Sequence, residues 1–131
     1  MMEKTTQLSV AMENVPGQLG RLCRVLAQAD VNIRGICVAD ASDFSNIRIV
    51  VSNPLAAKKA LREAGLTFAS HDVLLVDLDD KPGVLESVAV RLGEAGINVH
   101  YMYGTGTSGK GKAAMVLHVS DADRALQTLA P

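Results

Sequence analysis

The first half of the chain shows two kinds of hydrophobic pattern in a fixed order. Apolar residues alternate with polar or small ones from Leu8 to Met12, which predicts a half-buried strand. From Leu19 to Leu26 they recur at spacings of three and four residues, as on one face of a helix. Two apolar stretches, Val31–Val38 and Ile47–Val51, then predict a pair of strands joined by a turn at Asp40–Ser45.

The segment after this hairpin predicts a second helix. Asn53 can cap its first turn, Pro54 suits its first position, and Gly65 is a typical stop. Leu66–Ser70 can form a short fourth strand. The resulting order of strand, helix, strand, strand, helix, strand (βαββαβ) is that of the ferredoxin-like α+β fold, with helices on one face of an antiparallel sheet.

The second half of the chain repeats the first. Pro16-Gly17 recurs as Pro82-Gly83, and Asn32 recurs as Asn98, both at an offset of 66 residues. The repeat predicts two tandem units, residues 5–71 and 72–130. In the second unit the expected elements are strand Val73–Leu78, helix Val84–Gly93, strands Ile97–Tyr103 and Ala113–Val119, and helix Asp121–Ala130.

The last strand of the second unit is missing from this pattern, because Pro131 follows the final helix. Strand Val73–Leu78 would then lose a neighbour on one side, and an exposed strand edge needs a cover. Its residues Val73–Val76 are also apolar on both faces, which favours something packing on the helix-free side. Both features predict a homodimer.

Composition excludes several classes of partner. With 13 basic and 14 acidic residues the net charge is -1, so nothing favours nucleic acid or an anionic membrane. No apolar run approaches the roughly 20 residues of a membrane span, and the start of the chain lacks an apolar signal core. We therefore expect a cytoplasmic protein in which Cys23 and Cys37 are reduced, small apolar residues.

No motif predicts catalysis, a metal or a cofactor. Gly104–Gly111 contains a phosphate-binding spacing, but such a loop must lead into a helix, and the apolar run after it predicts a strand. His71, His100 and His118 lack metal-ligand spacing, and no nucleophile–base pair is evident. One enzymatic hypothesis for the function stays open, a small enzyme that depends on Asp80 or His100.

The two Pro-Gly turns are the candidate ligand sites. Each lies where a strand gives way to a helix, so the first N–H groups of the helix, at Gly17–Leu19 and at Gly83–Leu85, can meet a carboxylate. Asn14 and Asp80, which precede these turns, can cap the same N–H groups or bind a ligand ammonium group. The alternative is a plain strand–helix turn with a cap.

The set of (Asn/Asp)-x-Pro-Gly-x-Leu, amphipathic helix and Ala-x-x-Asn-(Ile/Val), present twice, resembles the ACT domain family in its small tandem form. The resemblance covers roughly residues 5 to 130 and implies paired modules that bind a small ligand, usually an amino acid, at the module interface. The resemblance implies that the turn of one module faces the second strand of the other. It also implies a role for Asn32 and Asn98, which match an Asn of the family that either fixes a turn or contacts the ligand. The residues implied for the first site are Asn14, Gly17, Gln18 and Leu19 with Tyr101, Met102 and Tyr103; those for the second are Asp80, Gly83, Val84 and Leu85 with Gly35, Ile36 and Cys37.

Two features qualify this transfer. The turns are followed by different residues, Gln18 and Val84, so the two sites need not be equivalent. Asn14 stands where the family often has Asp, so a single binding site would be at the Asp80 turn. Tyr101 and Tyr103 can be core residues or a pocket wall. We expect a non-catalytic sensor that binds an amino acid and passes the change to a partner by allosteric regulation. The alternative is a regulatory subunit that docks onto a metabolic enzyme of amino-acid biosynthesis.

Overall fold

A computed structural model describes residues 2–41, 43–107 and 109–131 of the chain. They divide into two compact units, an N-terminal unit of Thr6–His71 and a C-terminal unit of Asp72–Pro131 together with the described residues up to Thr5. The elements are β1 Met2–Glu13, α1 Gln18–Gln28, β2 Ile33–Ala41, β3 Phe44–Val51, α2 Pro54–Glu63, β4 Thr67–Asp79, α3 Val84–Glu94, β5 Val99–Thr107, β6 Lys112–Val119 and α4 Ala122–Leu129.

The N-terminal unit is an antiparallel sheet with two helices packed on one face. Its strands lie in the order β2-β3-β1-β4, and β3 runs antiparallel to both β1 and β2. Alternation along β1 places Leu8 and Val10 on the face that the helices cover, where they join Leu22 of α1 and Leu61 of α2 in one fully buried core. Burial of one such side chain contributes about 2 kcal/mol, so the predicted helix stripe is what fixes α1 on the sheet.

The C-terminal unit repeats this arrangement with strands in the order β1-β4-β6-β5. Strand β6 is antiparallel to β4 and to β5. Leu74 of β4, Leu92 of α3 and Leu117 of β6 are buried in its core. The predicted ferredoxin-like order, with helices on one face of an antiparallel sheet, is therefore confirmed in both units.

The strand missing after α4 is replaced by the start of the chain. Residues 2–5 of β1 belong to the C-terminal unit, and Met2 packs against its core. Lys4 Nζ lies 2.9 Å from Asp123 Oδ1 of α4. The expectation of an exposed edge at Val73–Leu78 is wrong, because β4 lies between β1 and β6 in the strand order.

Strand β4 differs from the prediction in a second way. Two strands, Leu66–Ser70 and Val73–Leu78, were expected, but one strand runs without a break from Thr67 to Asp79. No Gly or Pro stands between the two segments, so nothing forces a turn there. Val73 and Leu75, on the face away from the helices, are 0% and 5% exposed in the single chain, so their apolar character does not require a second chain to cover them.

The helix ends follow the predicted signals. Asn53 caps α2, since its Oδ1 accepts a hydrogen bond from the Ala56 N–H at 3.1 Å, and Gly65 after this helix has a left-handed φ of 72°. Asp121 caps α4 in the same way through the Arg124 N–H at 3.0 Å. In the described part of the chain no helix has the length and apolar character needed to cross a membrane.

The predicted hairpin loops, residues 40–45 and 104–111, are too long, because β2 runs to Ala41, β3 starts at Phe44 and β5 runs to Thr107. Ser42 of the first loop and Ser108 of the glycine-rich segment lie outside the described residues. The segment that follows Gly111 is strand β6, as expected. A phosphate-binding loop would require a helix there, so the glycine spacing of this segment does not form one.

Candidate functional site

The first strand–helix turn, residues 14–17, joins β1 to α1. The Asn14 N–H donates to the Asp43 carbonyl oxygen at 2.8 Å, and the Val15 N–H donates to the Glu13 carbonyl oxygen at 2.9 Å. Gly17 is the N-cap of α1 and has a φ of 92°. A residue with a Cβ would be strained in this left-handed conformation, which explains glycine at this position.

The second strand–helix turn, residues 80–83, has the same construction in the C-terminal unit. The Asp80 N–H donates to the Gly111 carbonyl oxygen at 2.7 Å, and the Lys81 N–H donates to the Asp79 carbonyl oxygen at 2.9 Å. Gly83 caps α3 with a φ of 89°. The repeat seen in the sequence is thus a repeat of backbone conformation.

The start of α1 and α3 differs from that of α2 and α4. The caps of α2 and α4 are Asn53 and Asp121, each with a side-chain oxygen that accepts a helix N–H. The caps of α1 and α3 are glycines, which have no side chain to accept one. The Val84 N–H donates to the Lys81 carbonyl oxygen at 3.4 Å. Because the first N–H groups of a helix lack intrahelical partners, the other N–H groups at these two helix starts can donate to an external anion.

The predicted turn residues are accessible in each unit. Six of the eight are exposed, among them Gly17, Gly83, Asn14 and Asp80. Leu19 is 45% exposed and Leu85 40% exposed, while Gln18 and Val84 are half-buried. Among the described residues, the exposure of both turns leaves them accessible to a ligand from solvent.

The predicted strand residues lie on β2 and β5, at one end of each unit's strand order. Both strands contain a register shift near their start, between Ile33 and Gly35 and between Val99 and Tyr101. The three residues on β5, Tyr101, Met102 and Tyr103, are half-buried, whereas on β2 Gly35 is buried, Cys37 is half-buried and Ile36 is exposed. The pairing of each turn with the other unit's strand stays a prediction.

The two asparagines of the repeat have a backbone role. The Asn32 N–H donates to Ser52 Oγ at 3.0 Å, and the Asn98 N–H donates to Ser120 Oγ at 2.9 Å. In return the Ser52 and Ser120 N–H groups donate to the asparagine carbonyl oxygens, each at 2.9 Å. These reciprocal bonds fix the entry of β2 and β5 through the main chain of each asparagine and do not depend on its side chain.

The charges around the two turns differ. Lys112 Nζ forms an ion pair with Asp79 Oδ1, and the hydrogen bond and positive charge of Lys112 hold the pKa of the Asp79 carboxyl below its usual value. In the N-terminal unit the matching register pair is Glu13 with Phe44, and Phe44 is 56% exposed. The second turn is therefore bordered by an ion pair, and the first by a carboxylate opposite an apolar side chain.

Sequence reasoning missed a group of rings on β5 and β6. The Tyr101 and His118 rings lie 4.9 Å apart between centroids, and the His100 and His118 rings lie 5.1 Å apart. Histidine spacing along the chain gave no sign of this, because the rings meet only through the pairing of Tyr101 with His118 across two strands. Among the described residues no group of three or more His, Cys, Asp or Glu side chains could hold a metal ion.

A cleft in the N-terminal unit lies away from every predicted site residue. It has a volume of about 290 Å³ and is lined by Val25, Gln28, Ala29, Ala60, Glu63 and Ala64 of α1, α2 and their ends. Four small apolar residues line it together with the polar side chains of Gln28 and Glu63. Its one charged side chain is a carboxylate, so among the lining residues no cation is present to bind the carboxylate of an amino acid.

Comparison with known proteins identifies the fold. A family model described as an ACT domain pair matches residues 3–130. The chain is similar to protein BT0572 from Bacteroides thetaiotaomicron, with 30% identity, a TM-score of 0.90 and coverage of 98% of this chain and 88% of that one. It is also similar to the ligand-free regulatory subunit of aspartate kinase from Thermus thermophilus, with 14% identity, a TM-score of 0.72 and coverage of 98% and 92%.

A third similar structure is aspartokinase III of E. coli in complex with lysine and aspartate. It matches at 13% identity with a TM-score of 0.57, over 98% of this chain and 31% of that one. Because the identity is low, this similarity is evidence for a shared fold alone. No curated protein sequence matches the chain.

Proposed function

This chain belongs to the family of ACT domain pairs, and we propose that it is a non-catalytic regulatory protein that binds an amino acid. The proposal assigns the carboxylate of the ligand to the N–H groups at the start of α1 or α3. It assigns the rest of the ligand to the predicted residues of β2 and β5. No step of this function requires a cofactor, a metal or a catalytic residue.

One observation carries the proposal. Two of the four helices begin at a left-handed glycine, Gly17 or Gly83, in place of a capping side chain. The other two have the side-chain caps that a helix start normally needs for stability. Both units lack a capping side chain at the same helix start. This leaves helix N–H donors and the positive end of the helix dipole available to an anionic ligand.

The second turn suits a zwitterionic ligand better than the first. Asp80 is an exposed carboxylate three residues before Gly83, so it can meet an ammonium group while the helix start binds the carboxylate. Asn14 occupies the matching place before Gly17 and has no charge. We therefore assign the tighter site to the second turn.

Regulation then follows from differential affinity. A ligand that prefers one arrangement of the protein shifts the population toward it, by no more than the difference in binding free energy.

We also propose a homodimer, on evidence other than the exposed strand edge that the sequence predicted. Strand β2 lies at one end of its sheet, with Ile36 and Val38 37% and 50% exposed, and apolar strand edges favour pairing. We also propose that the protein is cytoplasmic, because Cys23 and Cys37 would stay reduced in that compartment.

A second candidate function is docking onto a metabolic enzyme. Around the first turn, Val15 is 48% exposed, Leu19 45% and Phe44 56%. Exposed apolar side chains concentrated in one region are typical of protein contacts. The similar fold of the aspartokinase alpha and beta subunits, at 17% identity and a TM-score of 0.64, gives this reading a structural precedent.

The test is the melting temperature of the protein with each of the common amino acids at millimolar concentration. A ligand at about 100 times its dissociation constant adds about 2.7 kcal/mol, which raises the melting temperature of a chain this size by several degrees. We expect one or a few amino acids to do so.

Two variants locate the responder. Asp80→Asn removes the carboxylate assigned to the ammonium group and should abolish most of the shift, because charge-assisted hydrogen bonds are the strong ones. Glu94→Gln neutralises another exposed carboxylate, at the end of α3, and should leave the shift unchanged. If no amino acid stabilises the protein, the sensor function is contradicted and enzyme docking becomes the better account.

A further inference from the structure

Exposed apolar and acidic side chains surround the first strand–helix turn. We call this surface the first-turn patch, and it consists of Glu13, Val15, Leu19, Asp43 and Phe44, all of them exposed. Glu13 is the cross-strand partner of Phe44, and the turn is hydrogen-bonded to the Asp43 carbonyl oxygen. Leu19 has an exposed counterpart in the other unit, Leu85, so the features particular to this patch are the other four residues.

The second turn shows that the fold does not require apolar residues at two of these positions. It has the same backbone hydrogen bonds and the same left-handed glycine as the first turn. Lys81 stands there in place of Val15, and Lys112 in place of Phe44. A lysine side chain suits an exposed position, whereas a large apolar one gains free energy by leaving water. Apolar residues gathered at positions that accept lysine are typical of a contact with another molecule.

The patch also lacks the cations that the second turn has. Residues 13–15 and 43–44 contain two carboxylates and no cation, whereas the matching residues 79–81 and 111–112 contain two carboxylates and two lysines. Lys112 pairs with Asp79 in the second turn, and Phe44 occupies the equivalent position beside Glu13. Among the described residues no cation forms an ion pair with Glu13 or Asp43. The patch is therefore complementary to a partner that brings a cation of its own.

We propose that the first-turn patch docks a segment of another protein that places a large apolar side chain next to a lysine or arginine. The apolar side chain packs on Val15 and Phe44, and the cation pairs with Glu13 as Lys112 pairs with Asp79 in the second turn. Apolar anchors supply most of the binding free energy in such contacts, and charges at the rim supply specificity. The inference rests on the second candidate function, docking onto another protein, and states the surface and the chemistry of the partner.

The experiment uses the full chain and a library of random short peptides displayed on phage. Selected sequences are synthesised with a fluorescent label, and their affinity for the protein is measured by fluorescence polarisation at low and at physiological salt. We expect the selected peptides to combine an aromatic or branched aliphatic residue with a nearby Lys or Arg. We also expect tighter binding at low salt, because salt screens exposed charges.

Variants that install the residues of the second turn test the apolar contact. Phe44→Lys and Val15→Lys should each weaken peptide binding by about 10-fold or more, because the peptide loses an apolar contact and its cation meets a like charge. Both variants should fold, since a lysine occupies each position in the other unit. Leu55→Lys changes a residue of α2 that is 78% exposed and lies outside the patch, and it should leave the affinity unchanged.

A separate variant tests the charge of the patch. Glu13→Gln keeps the size of the side chain and should weaken the basic peptides by about two- to five-fold, the range expected for an exposed ion pair. It should also reduce the salt dependence of binding. Glu94→Gln neutralises an exposed carboxylate at the end of α3 and should change neither quantity.

The outcomes separate docking from amino-acid binding. Peptide binding that is lost in Phe44→Lys supports the docking surface, and the melting response to amino acids decides the sensor function independently. The docking surface is overturned by a library that yields no binder, by selected peptides that are acidic or uncharged, or by unchanged affinity in both Phe44→Lys and Val15→Lys. A dimer that sedimentation equilibrium detects and that Phe44→Lys dissociates would also overturn it, because a second copy of the chain would then cover the patch.

Discussion

At the scale of single residues, the pair of Asp79 and Lys112 distinguishes the second turn from the first. Both side chains are about half exposed, so the pair is screened by solvent and adds little to global stability. The hydrogen bond from Lys112 is the main reason why the pKa of Asp79 is lowered, with its positive charge second. The consequence is local: a carboxylate next to the proposed ligand site stays ionised and paired under mildly acidic conditions.

This pair gives a prediction on pH. A lowered pKa in the folded state means that the stabilisation is present above the ordinary carboxyl pKa and is lost as the pH falls through the folded value. Lys112→Met should raise the Asp79 pKa toward its ordinary value, as measured by the pH titration of its carboxyl carbon resonance. Lys58→Met on α2 should leave that titration unchanged. An unshifted Asp79 titration in Lys112→Met would contradict the assigned cause.

At the scale of elements, the four helices use two kinds of start. α2 and α4 begin at a side-chain cap, and α1 and α3 begin at a glycine with positive φ. Each unit then ties its helices together, since Arg21 donates to the Ala64 carbonyl oxygen at 3.1 Å and Arg91 donates to the Thr128 carbonyl oxygen at 2.6 Å. Packing and these bonds hold the helices in place, so the N–H groups at the uncapped helix starts can bind a ligand.

A matched pair of glycine substitutions tests the role of the first helix start. Gly17→Ala should lower the free energy of unfolding by about 1 kcal/mol, because φ at this position is 92° and the added Cβ is strained although no atom lies within 4 Å of it. Gly20→Ala, three residues later in α1, also meets nothing within 4 Å, and it should stabilise by roughly 0.5–1 kcal/mol. Urea unfolding of both variants measures the difference, and equal effects would rule out backbone strain as the reason for Gly17.

At the scale of the whole molecule, the chain closes its second unit with its own start. Residues 2–5 belong to the C-terminal unit, and the ion pair with Asp123 raises the pKa of Lys4, chiefly through the hydrogen bond. The boundary between the units falls inside β1 and again inside β4. The C-terminal unit therefore depends on a segment, residues 2–5, that is distant in sequence from the rest of it.

We predict that Met2→Asp destabilises the C-terminal unit. Met2 packs against the core of this unit, so an unpaired carboxylate there should cost roughly 1–3 kcal/mol. Amides of β4 and β6 should lose protection in hydrogen exchange. Ala11→Asp, at an exposed position of the same strand, should change stability by less than about 0.5 kcal/mol. Full protection of β6 in Met2→Asp would show that residues 2–5 are not needed to complete the sheet.

The sequence predicted the parts of this molecule that depend on local pattern. Period and capping residues located the helix from Leu19 to Leu26 and the cap at Asn53, because these signals act within a few residues. The strand made by residues 2–5 was not predictable, since its partner is β4 and no periodicity encodes so distant a pairing. The contact between the Tyr101 and His118 rings was not predictable for the same reason, because the two residues are neighbours only in the strand register.

The central claim is that a small ligand binds at the helix starts, and backbone amide chemical shifts test it most directly. A titration of isotope-labelled protein with the stabilising amino acid, followed by two-dimensional amide spectra, reports on every N–H at once. We predict that the largest shifts fall on Gly83–Leu85, with smaller ones on Gly17–Leu19. Shifts confined to other parts of the chain, with these amides unchanged at saturation, would contradict the account.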